Sequence, residues 1–174
     1  MIARRNLTRK IPDHVDGVLE QWATVAPDLG TAHLGVVARL HRLAHHLRLR
    51  GEEILRPYGL TQGEFDVLSA LRRSGNDEGL TPGVLAAGML VSSGGMTKRL
   101  VALERAGWIS RHRSERDARS VRVALTPSGR ERLDVLLPAY FAAEAAVLDV
   151  LDEAERDELV GLLRVLSLGL DPRR

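Results

Sequence analysis

The sequence contains no cysteine, which excludes disulfides, thiolate metal sites and thiol-based redox sensing together. Aromatic residues make up only 3% of the chain, so Leu, Val and Ala must build the core. Nowhere does an apolar run reach the roughly 18 residues that a membrane span needs. The basic stretch from Met1 to Lys10 is followed by no apolar segment, so no signal peptide is expected. GxGxxG, P-loop, HExxH and GxSxG patterns are all missing, which argues against an enzyme. Lysine is nearly absent too, with Lys10 and Lys98 alone among 25 basic residues. What remains is a globular composition, 44% apolar over 174 residues, long enough to bury a core without staples. The expectation is a soluble, cytoplasmic protein that needs no cofactor.

The net charge is only +2, but the charge is unevenly placed. Residues 96–132 carry ten basic and four acidic side chains, and residues 133–174 carry four basic and nine acidic ones. A basic segment on a near-neutral chain points to a polyanion met at one place.

Val15, Leu19 and Trp22 recur at helical spacing and predict a helix over 14–26, stopped by Pro27. Leu34, Val37, Leu40, Ala44, Leu47 and Ile54 mark a long helix over 33–56 that ends before Pro57. Thr61 and Glu64 have capping-box spacing and open a helix over 62–74. A loop follows from Ser74 to Gly79. Thr81-Pro82 starts a short helix over 82–89, and Ser92 or Ser93 caps another over 93–106, closed by Gly107. Two short helices joined by a tight polar turn form a helix-turn-helix. After Gly107 the period becomes two. Trp108–Arg113 and Val121–Leu125 read as strands of a hairpin, the second with Val121, Val123 and Leu125 on one face, and with an Arg-rich tip between the two strands. Thr126-Pro127 begins a helix reaching about 151, and Asp152 with Glu155 begins the last one.

The expected architecture is therefore mainly α with a small β-hairpin wing, a winged helix-turn-helix. Its parts are an N-terminal extension with dimerisation helices over 1–60, a DNA-binding domain over 61–126, and C-terminal dimerisation helices over 127–174. The second helix of the pair suits the major groove, where base edges are distinguishable. Ser92, Ser93, Gly94, Thr97 and Lys98 should face DNA from it. Arg116 and Arg119 at the wing tip should reach the adjacent minor groove, whose narrow stretches concentrate negative potential, and Arg113 of the wing should also contact DNA. The outer helices outsize what a small DNA-binding domain requires. Their apolar stripes are expected to meet a second copy, so that a twofold dimer reads a pseudo-palindrome.

Asp117-Ala118-Arg119-Ser120-Val121-Arg122-Val123-Ala124-Leu125-Thr126 resembles the wing signature of the MarR family of winged-helix regulators. Thr126-Pro127-Ser128-Gly129-Arg130 continues as that family's next helix does. The resemblance covers about residues 33–170 and implies an obligate homodimer, usually a repressor, relieved by a small molecule. Trp22, Asp66, Arg99 and Arg111 further resemble the residues of the family's urate-responsive subgroup, which carries an extra N-terminal helix with a Trp. The resemblance implies that these four bind a planar anion such as urate, by stacking and forked hydrogen bonds. It also implies that Asp66 pairs with an Arg in the empty protein. The recognition helix of the subgroup is usually richer in Ser, Pro and Asn than Ser92-Ser93-Gly94-Gly95-Met96-Thr97.

His41 and His45 stand four apart on a helix, but no third ligand is placed with them, so no metal site is expected. Two other classes remain open. One is a sensor of phenolic or other aromatic ligands on the same fold. The other is a DNA-architectural protein without a ligand.

Overall fold

The computed structural model describes residues 11–89, 91–113 and 120–170. It divides into two compact units, residues 1–49 and 50–174. The first contains helix α1 (His14–Val25) and most of helix α2 (Leu34–Leu55). Asp13 caps α1 by accepting the amides of Val15 and Asp16, while the Asp16 carboxylate takes the Asp13 amide in return. The same two carboxylates hold Arg39 of α2. Its Nε donates to Asp13 at 2.8 Å and its Nη2 to Asp16 at 2.7 Å. One pair of acids thus starts α1 and fastens it to α2.

In the second unit a single 3-10 turn (Arg56–Tyr58) follows α2. Helix α3 (Gln62–Arg73) opens on the Thr61–Glu64 capping box that the spacing predicts. Helix α4 (Pro82–Gly88) has Thr81 as its cap and Pro82 in its first turn. Helix α5 (Ser93–Arg105) is capped by Ser92. Strands β1 (Ile109–Arg113) and β2 (Val121–Leu125) pair antiparallel, Ile109 opposite Leu125 and Arg113 opposite Val121. Helix α6 (Pro127–Val147) starts at Thr126, and helix α7 (Glu153–Leu170) starts at the mutual Asp152–Glu155 cap. This is a winged helix-turn-helix with added helices, as the residue pattern predicts.

Leu68, Leu85, Met96, Leu100, Leu103, Trp108, Ile109, Val123, Leu133 and Leu136 form one buried cluster. Each such side chain removed from water stabilises the fold by about 1.5–3 kcal/mol. The cluster takes the inward faces of α3, α4, α5 and α6 together with the root of the wing. It leaves the outward face of α5 to solvent.

Two expectations differ. Helix α6 ends at Val147 rather than near 151, because the Leu148 amide turns to the carbonyls of Ala145 and Ala146, and Leu151 closes a further turn onto Leu148. Strand β2 does not bury Val121, Val123 and Leu125 as one face. Val123 and Ala124 are buried in succession and Val121 is exposed. The cause is Leu80, which bonds Val123 in both directions as a one-residue third strand. Gly79 makes that approach possible. Its φ is +80°, and a Cβ there would stand 2.0 Å from the Val123 carbonyl oxygen, so only glycine fits.

Candidate DNA interface and ligand cleft

Helix α5 presents its first turn outward. The Ser92 hydroxyl accepts the Gly95 amide at 3.2 Å. Ser93, Gly94, Thr97 and Lys98 are all exposed, while Met96 and Leu100 of the same helix are buried. Thr97 donates to the Ser93 carbonyl at 2.9 Å, and its oxygen keeps lone pairs for an incoming donor. Lys98 forms no ion pair among the described residues. Small side chains at a helix start leave its unpaired amides open to phosphate. Arg113 is exposed at the outer end of β1. Arg116 and Arg119 lie outside the described residues.

Two contacts hold the region where α5 ends and the wing begins. Arg111 of β1 closes on the Glu104 carboxylate, with Nε donating at 2.8 Å and Nη2 making a second bond. The Arg111 guanidinium holds the Glu104 carboxyl below its ordinary range. Arg132 of α6 stacks on the buried Trp108 ring, which directly follows the helix-ending Gly107.

Behind α5 lies a cleft of about 600 Å³ between α3, the turn after α4, α5 and α6. Asp66 and Arg99 both line it, as do Phe65, Arg73, Tyr140 and Glu144. The Phe65 and Tyr140 rings lie 4.1 Å apart. Tyr140 donates its hydroxyl to Gln62 at 3.0 Å, and the Gln62 amide donates to Asp66 at 3.0 Å. Burial pushes the Tyr140 hydroxyl above its usual range, against the opposing bond to Gln62. Arg72 is tied to Asp134 at 2.7 Å. Arg73 and Arg99 make neither ion pair nor hydrogen bond among the described residues. The cleft therefore combines apolar rings with two cations that form no ion pair among the described residues, beside the carboxylates of Asp66 and Glu144, a setting that can take a flat anion.

The four residues expected to bind a ligand are thus placed differently. Asp66 and Arg99 share the cleft. Arg111 does not line it and is held by Glu104 instead. Trp22 belongs to α1 in the first unit and is 41% exposed. Asp66 accepts from Gln62 rather than pairing with an Arg. The reason for Arg111 is local. Gly107, at φ +73°, turns the chain back on itself, so β1 runs beside the last turn of α5 and meets the nearest acid. Gln62, Arg73 and Tyr140 did not emerge from the residue pattern. Gln62 and Asp66 stand four apart on one helix, which would have flagged that pair; nothing local links either to Tyr140.

A model of the MarR family matches residues 58–120. Over 149 residues the chain is 30% identical to the HTH-type transcriptional regulator PecS of Dickeya dadantii, covering 86% of this chain and 90% of that protein. The chain belongs to the MarR family. The curated relatives it matches are transcriptional regulators by name, among them the repressor YetL of Bacillus subtilis. Solved structures agree on the fold. The Staphylococcus aureus MepR–DNA complex superposes with a TM-score of 0.71 at 21% identity, over 78% of this chain and 98% of that one. BpsR of Bordetella bronchiseptica, whose DNA binding is regulated by 6-hydroxynicotinic acid, gives 0.68 at 23% identity, over 80% and 96%. No described helix is long and apolar enough to cross a membrane.

Proposed function

We propose that this MarR-family protein is a homodimeric repressor acting in the cytoplasm, bound to a pseudo-palindromic operator and released by a small planar anion such as urate. One observation carries the ligand reading. Arg99, on the recognition helix itself, is unpaired in a cleft that also holds Asp66 and the aromatic rings of Phe65, Tyr140 and Phe141. An anion taken by Arg99 acts directly on the helix that enters the groove. For release, it must bind the DNA-incompetent arrangement more tightly than the competent one. Trp22 and Arg111 complete the proposed ligand set. Arg111 joins it by exchanging Glu104 for the anion.

The dimer is supported by apolar side chains left in solvent. Leu162, Val165 and Leu166 of α7 are exposed, as are Val36, Leu40 and Leu43 of α2. Such stripes on a monomer ask for a partner. On this reading the helices outside residues 61–126 carry dimerisation. Ser92, Ser93, Gly94, Thr97 and Lys98 contact the major groove, Arg116 and Arg119 the minor groove, and Arg113 adds a further contact to DNA.

The test is a gel shift on the protein's own promoter with a urate titration, beside a light-scattering mass. Release by urate, lost on Trp22→Ala or Arg111→Ala while operator binding persists, supports the proposal. A monomer, or broad coverage of DNA without a discrete footprint, sinks it. A second reading, an aromatic carboxylate as effector, is favoured by the Phe65–Tyr140 pair and predicts release by salicylate but not by urate.

A further inference from the structure

Resting on the reading that this cleft takes the effector, we propose that Gly63 and Gln62 are positioning residues that keep Arg99 open to the anion. The Arg99 guanidinium lies flat against the first turn of α3. A Cβ on Gly63 would stand 2.5 Å from its Cζ and 2.7 Å from its Nε. No side chain at position 63 is compatible with that placement. The position is electrostatically exposed as well, because the N-terminal turn of a helix carries partial positive charge and repels a cation while attracting an anion. A guanidinium held there with no ion pair among the described residues favours an incoming anion on both counts.

Arg99 would ordinarily be neutralised by the nearest acid, and Asp66 lines the same cleft. Gln62 competes for that carboxylate. Its Nε2 donates to Asp66 at 3.0 Å while its Oε1 accepts from Tyr140 at 3.0 Å. The amide is used at both ends, so its orientation is fixed by its partners. Gly51 of α2 stands so close to this pair that a Cβ there would meet the Gln62 Oε1 at 2.8 Å and the Tyr140 hydroxyl at 3.1 Å. Gly63 thus sets where the guanidinium rests, and Gln62 sets what the competing carboxylate does. Neither needs to touch the ligand.

The test uses the full-length protein, operator DNA and urate, with salicylate in a parallel arm. Gly63→Ala drives the guanidinium off α3 by moving the far end of a flexible side chain, and alanine suits a helix better than glycine. Gln62→Met removes the amide at similar length and leaves Asp66 to the unpaired Arg99 and Arg73. Both variants are expected to bind operator like the parent in the absence of ligand. Each should need about tenfold more anion for release, a typical size for a coupling between sites. The melting temperature of Gly63→Ala should not fall. A merely structural role would instead change operator affinity or stability together with the response. Release of either variant at the parental concentration overturns the proposal. A parent protein that neither urate nor salicylate releases overturns the cleft reading itself, and this inference with it.

Discussion

The guanidinium carbon of Arg132 stands 3.7 Å above the centre of the Trp108 ring. The same side chain donates to the Ala106 carbonyl at 3.4 Å. Trp108 is 1% exposed. Its amide bonds the Leu103 carbonyl of α5, and its own carbonyl receives the Thr126 amide at the start of α6. There is no room for adjustment on the α6 side, since a Cβ on Gly129 would lie 2.1 Å from the Trp108 oxygen. The end of the recognition helix, the root of the wing and the first turn of α6 are therefore fastened at one residue. Trp108→Ala should cost about 3–5 kcal/mol by emptying a core site. Arg132→Ala should cost about 0.5–2 kcal/mol through the lost cation–π contact. Urea unfolding measures both, and a neutral Arg132→Ala would show that the stacking is incidental.

Glu104 and Arg111 make a prediction about the ligand rather than the fold. If Arg111 has to leave Glu104 to meet an anion, the ion pair opposes the effector. Glu104→Gln should then lower the urate concentration that releases DNA, with operator affinity unchanged before ligand is added. An unaltered release curve would remove Arg111 from the ligand set. The pair is part-exposed, so added salt should weaken the difference between the two proteins.

Lys98 carries the electrostatic expectation for the groove face of α5. Its ammonium meets no acid among the described residues, so it is available for a phosphate. Lys98→Ala should weaken binding about equally for specific and random duplexes and reduce the slope of affinity against salt by about one ion. Loss confined to the specific operator would instead make Lys98 a reader of base edges.

The elements that could be read from residue order are those with chemical punctuation. Thr61, Thr81, Thr126 and Asp152 each open a helix where cap chemistry places one, and Gly107 ends α5 at a left-handed turn. What depends on distant partners was not legible. Leu80 pairs with Val123 across a long separation and changes which face of β2 is buried. The same holds at the cleft. Asp66 and Arg99 can be named by type and spacing, but their actual neighbours, Gln62, Gly63 and Tyr140, come together only when α3, α5 and α6 pack. Arg111 shows the converse, since a local acid seven residues back captured it from the distant Asp66.

Acid should destabilise the protein through its paired carboxylates. Arg39 lowers the Asp13 carboxyl, Arg111 lowers Glu104 and Arg72 lowers Asp134, in each case first through a side-chain hydrogen bond. A carboxyl with a lower pKa when folded takes up its proton first in the unfolded chain. Its contribution is complete above the unfolded value, about 4, and disappears as the pH falls through the folded one. Asp134→Asn removes one such group without changing its size. Its melting temperature should lie below the parent's at neutral pH, and the two should converge in acid. Tyr140 has the opposite sign. Burial raises it, so its contribution is present below about 10 and is lost as the pH rises through the folded value. Tyr140→Phe should flatten the alkaline limb alone. A gap between parent and Asp134→Asn that stays constant into acid would mean the Arg72–Asp134 pair contributes nothing through charge, leaving shape as its only role.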